Sequence, residues 1–220
     1  MRKGSSMIKV LLVDDHALIR DGLRRLLQDC NDMQVVGEAS DGQEALRLLQ
    51  QLHPDVAVMD LSMPGLDGIE ATKRIVREGF SVHVLILTMH TNEEYAVRAL
   101  QAGARGFISK GAPSQDVVTA IRKISTGGCY LPVELSESLP KRYARKGPGD
   151  SPLETLSDRE LQVLKRLAEG RISKDIAQDL HISIKTVDTY RARLLAKLEL
   201  ETTADLIRFA LRNGVIEDAW

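Results

Sequence analysis

The sequence predicts an α/β fold in which a doubly wound, five-stranded parallel sheet of order 2-1-3-4-5 is followed by a small all-α domain of four helices. Short β-branched runs alternate with amphipathic stretches of helical length over the first 126 residues. The central runs are apolar throughout, which is typical of strands covered on both faces. Beyond about residue 130 the alternation stops and only helical patterns follow. These three observations predict a parallel sheet and a separate helical domain.

The first domain consists of five strand–helix units. The predicted strands are "IKVLLV", "QVVGEA", "DVAVMD", "HVLILT" and "GFISK". The predicted helices span residues 17–28, 42–52, 68–78, 92–102 and 114–126. Because each helix connects one strand to the next, the units predict parallel pairing with helices on both faces of the sheet.

A change of composition separates the two predicted domains. The segment "LPVELSESLPKRYARKGPGDSPL" contains four prolines and two glycines. It predicts a first domain at 7–127, a linker at 128–152 and a second domain at 153–220. The linker carries a basic cluster of Lys141, Arg142, Arg145 and Lys146. We interpret this cluster as a solvated tether, with contact to nucleic-acid phosphates as the alternative.

Helix-start signals divide the second domain into four helices. Ser157 and Glu160 have the spacing of a capping box, and Gly170 follows the first apolar helical pattern. The predicted N-caps are, in chain order, Ser157, Ser173, Ser183 and either Thr202 or Thr203. Four helices in some 65 residues predict a compact helical domain.

Composition limits where the protein acts. Thirty basic and thirty-one acidic residues give a net charge of −1, so any binding to an anionic partner must be local. The two cysteines, Cys30 and Cys129, have no second cysteine nearby, which argues against a zinc site and for a reducing compartment. No stretch resembles a signal peptide or a membrane span. We therefore expect a cytoplasmic protein without membrane contact.

Three acidic residues follow strands that lie side by side in the predicted order. Asp14 and Asp15 follow the first strand, and Asp60 ends the third. Because ligands bind beyond the carboxyl ends of parallel strands, where the strand order reverses, the three carboxylates should converge. Their repulsion would raise at least one carboxyl pKa unless a cation lay among them. Hard oxygen ligands of this kind predict Mg²⁺.

The fourth and fifth predicted strands end in Thr88 and Lys110. A hydroxyl and an ammonium group at the same edge are suited to bind a phosphoryl group beside Mg²⁺. Each residue alone would be weak evidence, but the set together predicts phosphate chemistry. The five histidines show no second ligand at metal spacing, and we interpret them as surface or partly packed residues: His16, His53, His83, His90 and His181.

On the basis of these acidic, hydroxyl and lysine residues at the strand ends, residues 7–127 resemble the receiver domain of a two-component response regulator, which has a flavodoxin-like fold. The resemblance implies that Asp60 is the phosphoacceptor and that a sensor histidine kinase is the donor. It also implies that Asp14 and Asp15 form the acidic pair, with Mg²⁺ held by Asp15, Asp60 and the backbone carbonyl of Ser62. Thr88 and Lys110 would then contact the phosphoryl group.

The resemblance also implies a switch made of Thr88 and Phe107. Movement of Thr88 toward the phosphoryl group would free space for Phe107 to turn inward. Many relatives have tyrosine at this position, so a contact through a hydroxyl is excluded here. Core packing alone is the alternative interpretation of Phe107.

The second domain contains a short helix, a turn and a longer helix, the order in which the second helix reads a DNA major groove. Residues 183–198 hold four basic side chains against one acid, Asp188. With "LSDRELQVLKRLAEG" before it, the region resembles the LuxR-type helix-turn-helix domain of NarL/FixJ regulators. The implied DNA contacts are Lys185, Thr186, Thr189, Arg193 and Lys197. Asp188 departs from that family, because relatives often have a basic or small polar residue there.

We therefore expect a phosphorylation-dependent transcription regulator that binds double-stranded DNA and forms a homodimer when phosphorylated. By the resemblance, the unphosphorylated receiver covers the recognition helix. The protein is expected to be a phosphoacceptor rather than an enzyme. Two alternatives stay open. A haloacid-dehalogenase-type phosphatase would need a carboxylate two residues after the nucleophile, where this chain has Ser62. In the other alternative, the helical domain binds a protein instead of DNA.

Overall fold

The computed structural model describes residues 7–89, 93–133, 135–137, 152–180 and 182–216. The chain divides into two compact units, with the division between Leu139 and Pro140. Most of the predicted linker, including its four basic residues, lies outside the described residues. None of the helices in the described parts of the chain has both the length and the apolar character needed to cross a membrane.

The first unit is a five-stranded parallel sheet of order β2-β1-β3-β4-β5, as predicted. Its strands are β1 (Ile8–Val13), β2 (Met33–Ala39), β3 (Val56–Met59), β4 (His83–Thr88) and β5 (Gly106–Ser109). Its helices are α1 (Ala17–Gln28), α2 (Gly42–Leu52), α3 (Gly68–Arg77), α4 (Glu93–Gln101) and α5 (Ser114–Ser125). Residue 92, where the fourth helix was predicted to begin, lies outside the described residues.

The pleat of the strands divides the unit into two layers of side chains. Alternate residues of the sheet, among them Leu85, Leu87 and Ile108, pack in one apolar cluster with side chains of α1 and α5. The remaining helices contact one another in sequence, α2 with α3 and α3 with α4. The centre of the sheet is therefore buried from solvent on both faces, which explains why its strands are apolar throughout.

The described residues of the second unit form helices and turns only, as predicted. A short 3₁₀ turn at Pro152–Thr155 precedes α6 (Asp158–Ala168), α7 (Ser173–Asp179), α8 (Ile184–Lys197) and α9 (Thr203–Arg212). Ser157 and Glu160 form the predicted capping box, and Thr202 forms a second one with Asp205. Gly170 has a φ of +79°, which suits the chain reversal after α6.

One predicted cap is wrong. Ile172, not Ser173, is the N-cap of α7, and no side chain caps this helix. The hydroxyl of Ser173 instead donates to Oδ1 of Asp188 on α8, 3.1 Å away. A serine hydroxyl caps a helix only when it turns back toward the backbone of its own helix, and here a carboxylate of another helix holds it.

Candidate functional site

The strands bring the predicted acidic residues to one edge of the sheet. Asp14 and Asp60 directly follow β1 and β3, and the backbone N–H of Asp60 donates to the carbonyl of Val13 at 2.8 Å. Asp14 and Asp60 are 2% and 4% exposed, whereas Asp15 is exposed. Two nearly buried carboxylates therefore lie beside one that reaches solvent.

Lys110 joins the two buried carboxylates. Its Nζ lies 2.7 Å from Oδ2 of Asp14 and 3.0 Å from Oδ2 of Asp60, and its side chain is 5% exposed. Its backbone N–H donates to the carbonyl of Thr88 at 2.8 Å, so β4 fixes where the lysine leaves β5. The ammonium group therefore offsets most of the repulsion between Asp14 and Asp60.

Burial controls the protonation of this cluster. Burial raises the pKa of the Asp60 carboxyl. The positive charge of Lys110 opposes this shift and the negative charge of Asp14 adds to it, so the pKa of Asp60 lies above its usual value of 3.8. Burial also works against the charged form of Lys110, but Asp60 and Asp14 outweigh it and raise its pKa above 10.5. Asp60 is thus a poorly solvated carboxylate, which is more reactive toward an electrophile than a hydrated one.

His16 belongs to the same cluster, which corrects the prediction that no histidine has a second ligand nearby. Its Nδ1 lies 2.9 Å from Oδ1 of Asp15 and 3.2 Å from Oδ1 of Asp14. Ligand atoms of Asp14, Asp15, His16 and Asp60 all lie within 4.8 Å of one another. The second ligands are the carboxylates of Asp14 and Asp15, which directly precede His16 in the chain. His90 and His181 lie outside the described residues.

Arg20 is a second residue that the sequence did not single out. One turn after His16 on α1, its guanidinium donates to the backbone carbonyl of Asp14 and, through Nε at 3.3 Å, to Glu38 on β2. It therefore holds the loop that carries the acidic pair. The sequence contained a signal for this contact. Because α1 begins at residue 17, the first turn of the helix places Arg20 beside the loop that contains Asp14.

Glycine lets the next helix approach Asp60. A Cβ atom at Gly68 would lie 2.2 Å from the carbonyl oxygen of Asp60 and 3.0 Å from Cα of Leu61. The N–H of Gly68 donates to the carbonyl of Leu61 at 3.0 Å, and the N–H of Leu61 donates to Oδ1 of Asp60 at 2.7 Å. The first turn of α3 therefore lies against the backbone of Asp60, and the N–H of Leu61 holds one carboxylate oxygen of Asp60.

The other predicted receiver residues are Thr88, Ser62 and Phe107, and the structure gives their burial and their positions on the sheet. Thr88 is fully buried at the end of β4, and Ser62 is half-buried two residues after Asp60. Phe107 is 1% exposed on β5 and pairs with Ile86 in the sheet register. Because side chains alternate along a strand, Thr88 and Phe107 lie on the same face of the sheet, away from the cluster of α1 and α5.

Helix α8 has an apolar, buried face and a polar, exposed face. Val187 and Leu194 are fully buried. Ser183 caps the helix by accepting the N–H of Thr186 at 3.0 Å, as predicted. Lys185, Thr189 and Arg193 are exposed, and the Thr189 hydroxyl donates to the carbonyl of Lys185 at 2.8 Å. This face presents two basic groups and one hydroxyl to solvent, while Thr186, the other predicted threonine contact, is half-buried.

Lys197, the fifth predicted DNA contact, is held within its own unit. Its Nζ lies 2.7 Å from Oε2 of Glu160 and donates to the carbonyl of Thr155 at 3.1 Å. Glu160 is 3% exposed and also accepts from the backbone and hydroxyl of Ser157. The end of α8 is therefore bound to the start of α6.

Replacing Lys197 with Met should destabilise the helical unit in a pH-dependent way. Burial acts to raise the pKa of Glu160, but the hydrogen bonds from Lys197 and Ser157 outweigh it and place the pKa below 4.5. The pair therefore stabilises the fold above pH 4.5 and loses its contribution as pH falls through the lower, folded-state value. We expect a loss of about 1 kcal/mol near neutral pH, because Lys197 is partly solvated.

Urea unfolding followed by circular dichroism at several pH values measures this difference. The control is Lys174→Met, which removes an exposed lysine from α7. A Lys197→Met deficit that stays constant down to pH values below the pKa of Glu160 would contradict the assignment.

Comparison with known proteins gives one family match for each of the two units. A family profile for the response regulator receiver domain matches residues 10–122, and a profile for the LuxR family of bacterial regulatory proteins matches residues 154–210. The chain is 40% identical to response regulator UvrY of Escherichia coli over 209 residues, which cover 95% of this chain and 96% of UvrY. It is 38% identical to response regulator GacA of Pseudomonas aeruginosa over 213 residues, 97% of this chain and all of GacA.

Solved structures of a response regulator are also similar to this chain over most of its length. A structure of the Salmonella typhimurium response regulator RcsB is similar with a TM-score of 0.67 at 28% identity, covering 93% of this chain and 96% of that one. A structure of the two-component response regulator RcsB in complex with DNA is similar with a TM-score of 0.59 at 30% identity, covering 93% of this chain and 98% of RcsB.

Proposed function

The chain belongs to the response-regulator family, with a receiver domain followed by a LuxR-type DNA-binding domain, and on that premise we propose that Asp60 is its phosphoacceptor. The protein is a phosphorylation-dependent, DNA-binding transcription regulator. The observation that carries the assignment of Asp60 is the pair of contacts from Lys110 to Asp14 and Asp60, both nearly buried at the same sheet edge.

In the proposed reaction, a carboxylate oxygen of Asp60 attacks the phosphorus of a phosphohistidine on a sensor histidine kinase. An O–P bond forms, the P–N bond breaks, and the imidazole nitrogen keeps the electron pair of that bond. Lys110 already lies 3.0 Å from Asp60 and can follow the charge onto the transferred oxygens without a large movement. Burial of Asp60 limits access of bulk water to the new acyl phosphate.

The donor set fits a hard divalent cation. Asp14, Asp15 and Asp60 offer carboxylate oxygens within one cluster, and the exposed side of Asp15 leaves room for water ligands. We propose that Asp15, Asp60 and the carbonyl of Ser62 hold Mg²⁺, with Asp14 completing the acidic pair. When bound, Mg²⁺ supplies positive charge that stabilises the transferring phosphoryl group. His16 and Arg20 hold the acidic pair in position.

We propose that Thr88 and Phe107 carry the signal away from the site. Thr88 would bond the phosphoryl oxygens, and Phe107 would move into the space that Thr88 leaves. Their common face of the sheet and their neighbouring positions on β4 and β5 support this route. Packing alone is the alternative role for Phe107, which is buried in the present structure.

For the output, we propose that α8 lies in the major groove of double-stranded DNA, with Lys185, Thr186, Thr189 and Arg193 in contact. Exposure of Lys185, Thr189 and Arg193 on one helix supports this assignment. Lys197 would have to leave Glu160 in order to reach DNA. We also propose that phosphorylation promotes homodimers on paired half-sites and that the protein acts in the cytoplasm.

Incubation with acetyl phosphate and Mg²⁺ tests the receiver proposal. A phosphoacceptor takes up about one phosphoryl group per chain and then stops, whereas a phosphatase of the haloacid-dehalogenase type turns over many equivalents. Continued turnover at a rate typical of an enzyme would favour the phosphatase.

A salt titration with duplex DNA tests the output proposal. A groove-binding helix that neutralises several phosphates makes the logarithm of the affinity fall steeply and linearly with the logarithm of the salt concentration. Absence of measurable duplex binding by both the phosphorylated and the unphosphorylated chain would favour a protein partner for the helical unit.

A further inference from the structure

We propose that Asp188 limits non-specific DNA binding by holding Arg191 away from phosphates. This inference rests on the proposed binding of α8 to DNA. It gives a role to an acidic residue in a helix that otherwise carries only basic charges between residues 183 and 198.

One carboxylate oxygen of Asp188 has two partners. Oδ1 accepts the hydroxyl of Ser173 on α7 at 3.1 Å, and NH2 of Arg191 lies 3.1 Å from the same oxygen. The bond from Ser173 fixes the direction of the carboxylate, and the carboxylate in turn holds the guanidinium of Arg191, one turn further along α8. The side chains of Arg191 and Asp188 are 37% and 45% exposed.

The pair is therefore accessible and weak. Ion pairs at this exposure stabilise a fold by about 1 kcal/mol or less, so the unit does not depend on it for folding. A phosphate group could replace the carboxylate as the partner of Arg191 if Asp188 lost its charge. What the pair controls is the number of cations on α8 that are available to DNA.

Carboxylates neutralise two of the four basic side chains of α8. Arg191 pairs with Asp188, and Lys197 pairs with Glu160. Within the parts of the chain that the structure describes, Lys185 and Arg193 have no carboxylate partner. Each cation that binds phosphate raises affinity for every DNA sequence, so withholding one lowers the affinity of the protein for DNA in general, including the many non-specific sites.

The test compares the full chain and its Asp188→Asn variant on a duplex of random sequence about two helical turns long, in beryllofluoride and Mg²⁺. Asparagine keeps an acceptor oxygen for Ser173 and removes the charge that holds Arg191. Fluorescence anisotropy between about 0.05 and 0.3 M NaCl gives the affinity and its salt slope.

For each bound recognition helix, one additional phosphate contact steepens the slope of log affinity against log salt by about 0.9. Affinity for the random duplex near 0.1 M salt should then rise roughly fivefold to tenfold for each bound helix. The Asp188→Asn, Arg191→Gln double variant should return to the slope of the unmodified chain, and Arg191→Gln alone should leave that slope unchanged. Circular dichroism checks that every variant is folded.

Two results would overturn the proposal. An Asp188→Asn slope equal to that of the unmodified chain would show that Asp188 does not withhold a cation. Loss of affinity only for a duplex selected from a random pool would show that Asp188 accepts a hydrogen bond from cytosine instead. If the unmodified chain shows no salt-dependent duplex binding at all, the DNA-binding proposal fails first and this inference fails with it.

Discussion

Asp60→Asn is expected to abolish phosphoryl incorporation from acetyl phosphate, from about one group per chain to none that can be detected. Asparagine has nearly the same shape and keeps an oxygen for the N–H of Leu61, which donates to Oδ1 at 2.7 Å. It has no anionic oxygen to attack phosphorus. Removing a nucleophile typically lowers the rate by at least about 10³-fold.

The same substitution should uncouple DNA binding from the phosphodonor. Acetyl phosphate should change the duplex affinity of the unmodified chain and leave that of Asp60→Asn constant. The matched control is Asp55→Asn, which changes an exposed aspartate at the other end of β3, where its Oδ2 accepts the N–H of Lys9 at 2.8 Å. The control should incorporate phosphoryl groups normally. Equal incorporation by Asp60→Asn would remove Asp60 from the mechanism.

Gly68→Ala is expected to cause the second large effect, on both stability and phosphorylation. The new Cβ would lie 2.2 Å from the carbonyl oxygen of Asp60, which is backbone and cannot rotate away. The segment that carries Asp60 or the first turn of α3 must therefore move. Forcing atoms into a packed site costs about 3 kcal/mol. The receiver unit should melt roughly 10 °C lower.

Displacement of Asp60 should also slow phosphorylation under conditions where the variant is fully folded. Calorimetry and the rate of acetyl phosphate incorporation measure the two effects. Gly22→Ala is the matched control, because apart from its chain neighbours and the backbone of its own helix no atom lies within 4 Å of the added Cβ. Alanine at this position in α1 should raise stability by up to about 1 kcal/mol. A Gly68→Ala chain as stable and as reactive as the control would show that the close approach does not constrain Asp60.

The sequence predicts the strands well because burial on both faces leaves them apolar from end to end. All five predicted strands are present, and their order is as expected. The residues that follow them could be located for the same reason. Asp14, Asp60 and Lys110 each come directly after a strand, and parallel strands bring such residues to one edge.

Contacts that depend on turn geometry could not be predicted in this way. His16 reaches Asp14 and Asp15 because the loop after β1 turns its ring back toward them. The hydroxyl of Ser173 points to Asp188 and leaves α7 without a side-chain cap, although serine is a common N-cap. Lys197 shows the same limit, because helical spacing places it on α8 but only the packing of α6 pairs it with Glu160.

The proposed function depends on Asp60 carrying a transferable phosphoryl group as an acyl phosphate. Borohydride reduces an aspartyl phosphate to homoserine, so reduction after incubation with acetyl phosphate and Mg²⁺, followed by peptide mass spectrometry, identifies the acceptor directly. We expect homoserine at position 60, and we expect none there when Mg²⁺ is chelated. Homoserine at another aspartate, or unchanged aspartate at position 60 in a chain that has taken up phosphate, would contradict the proposed function.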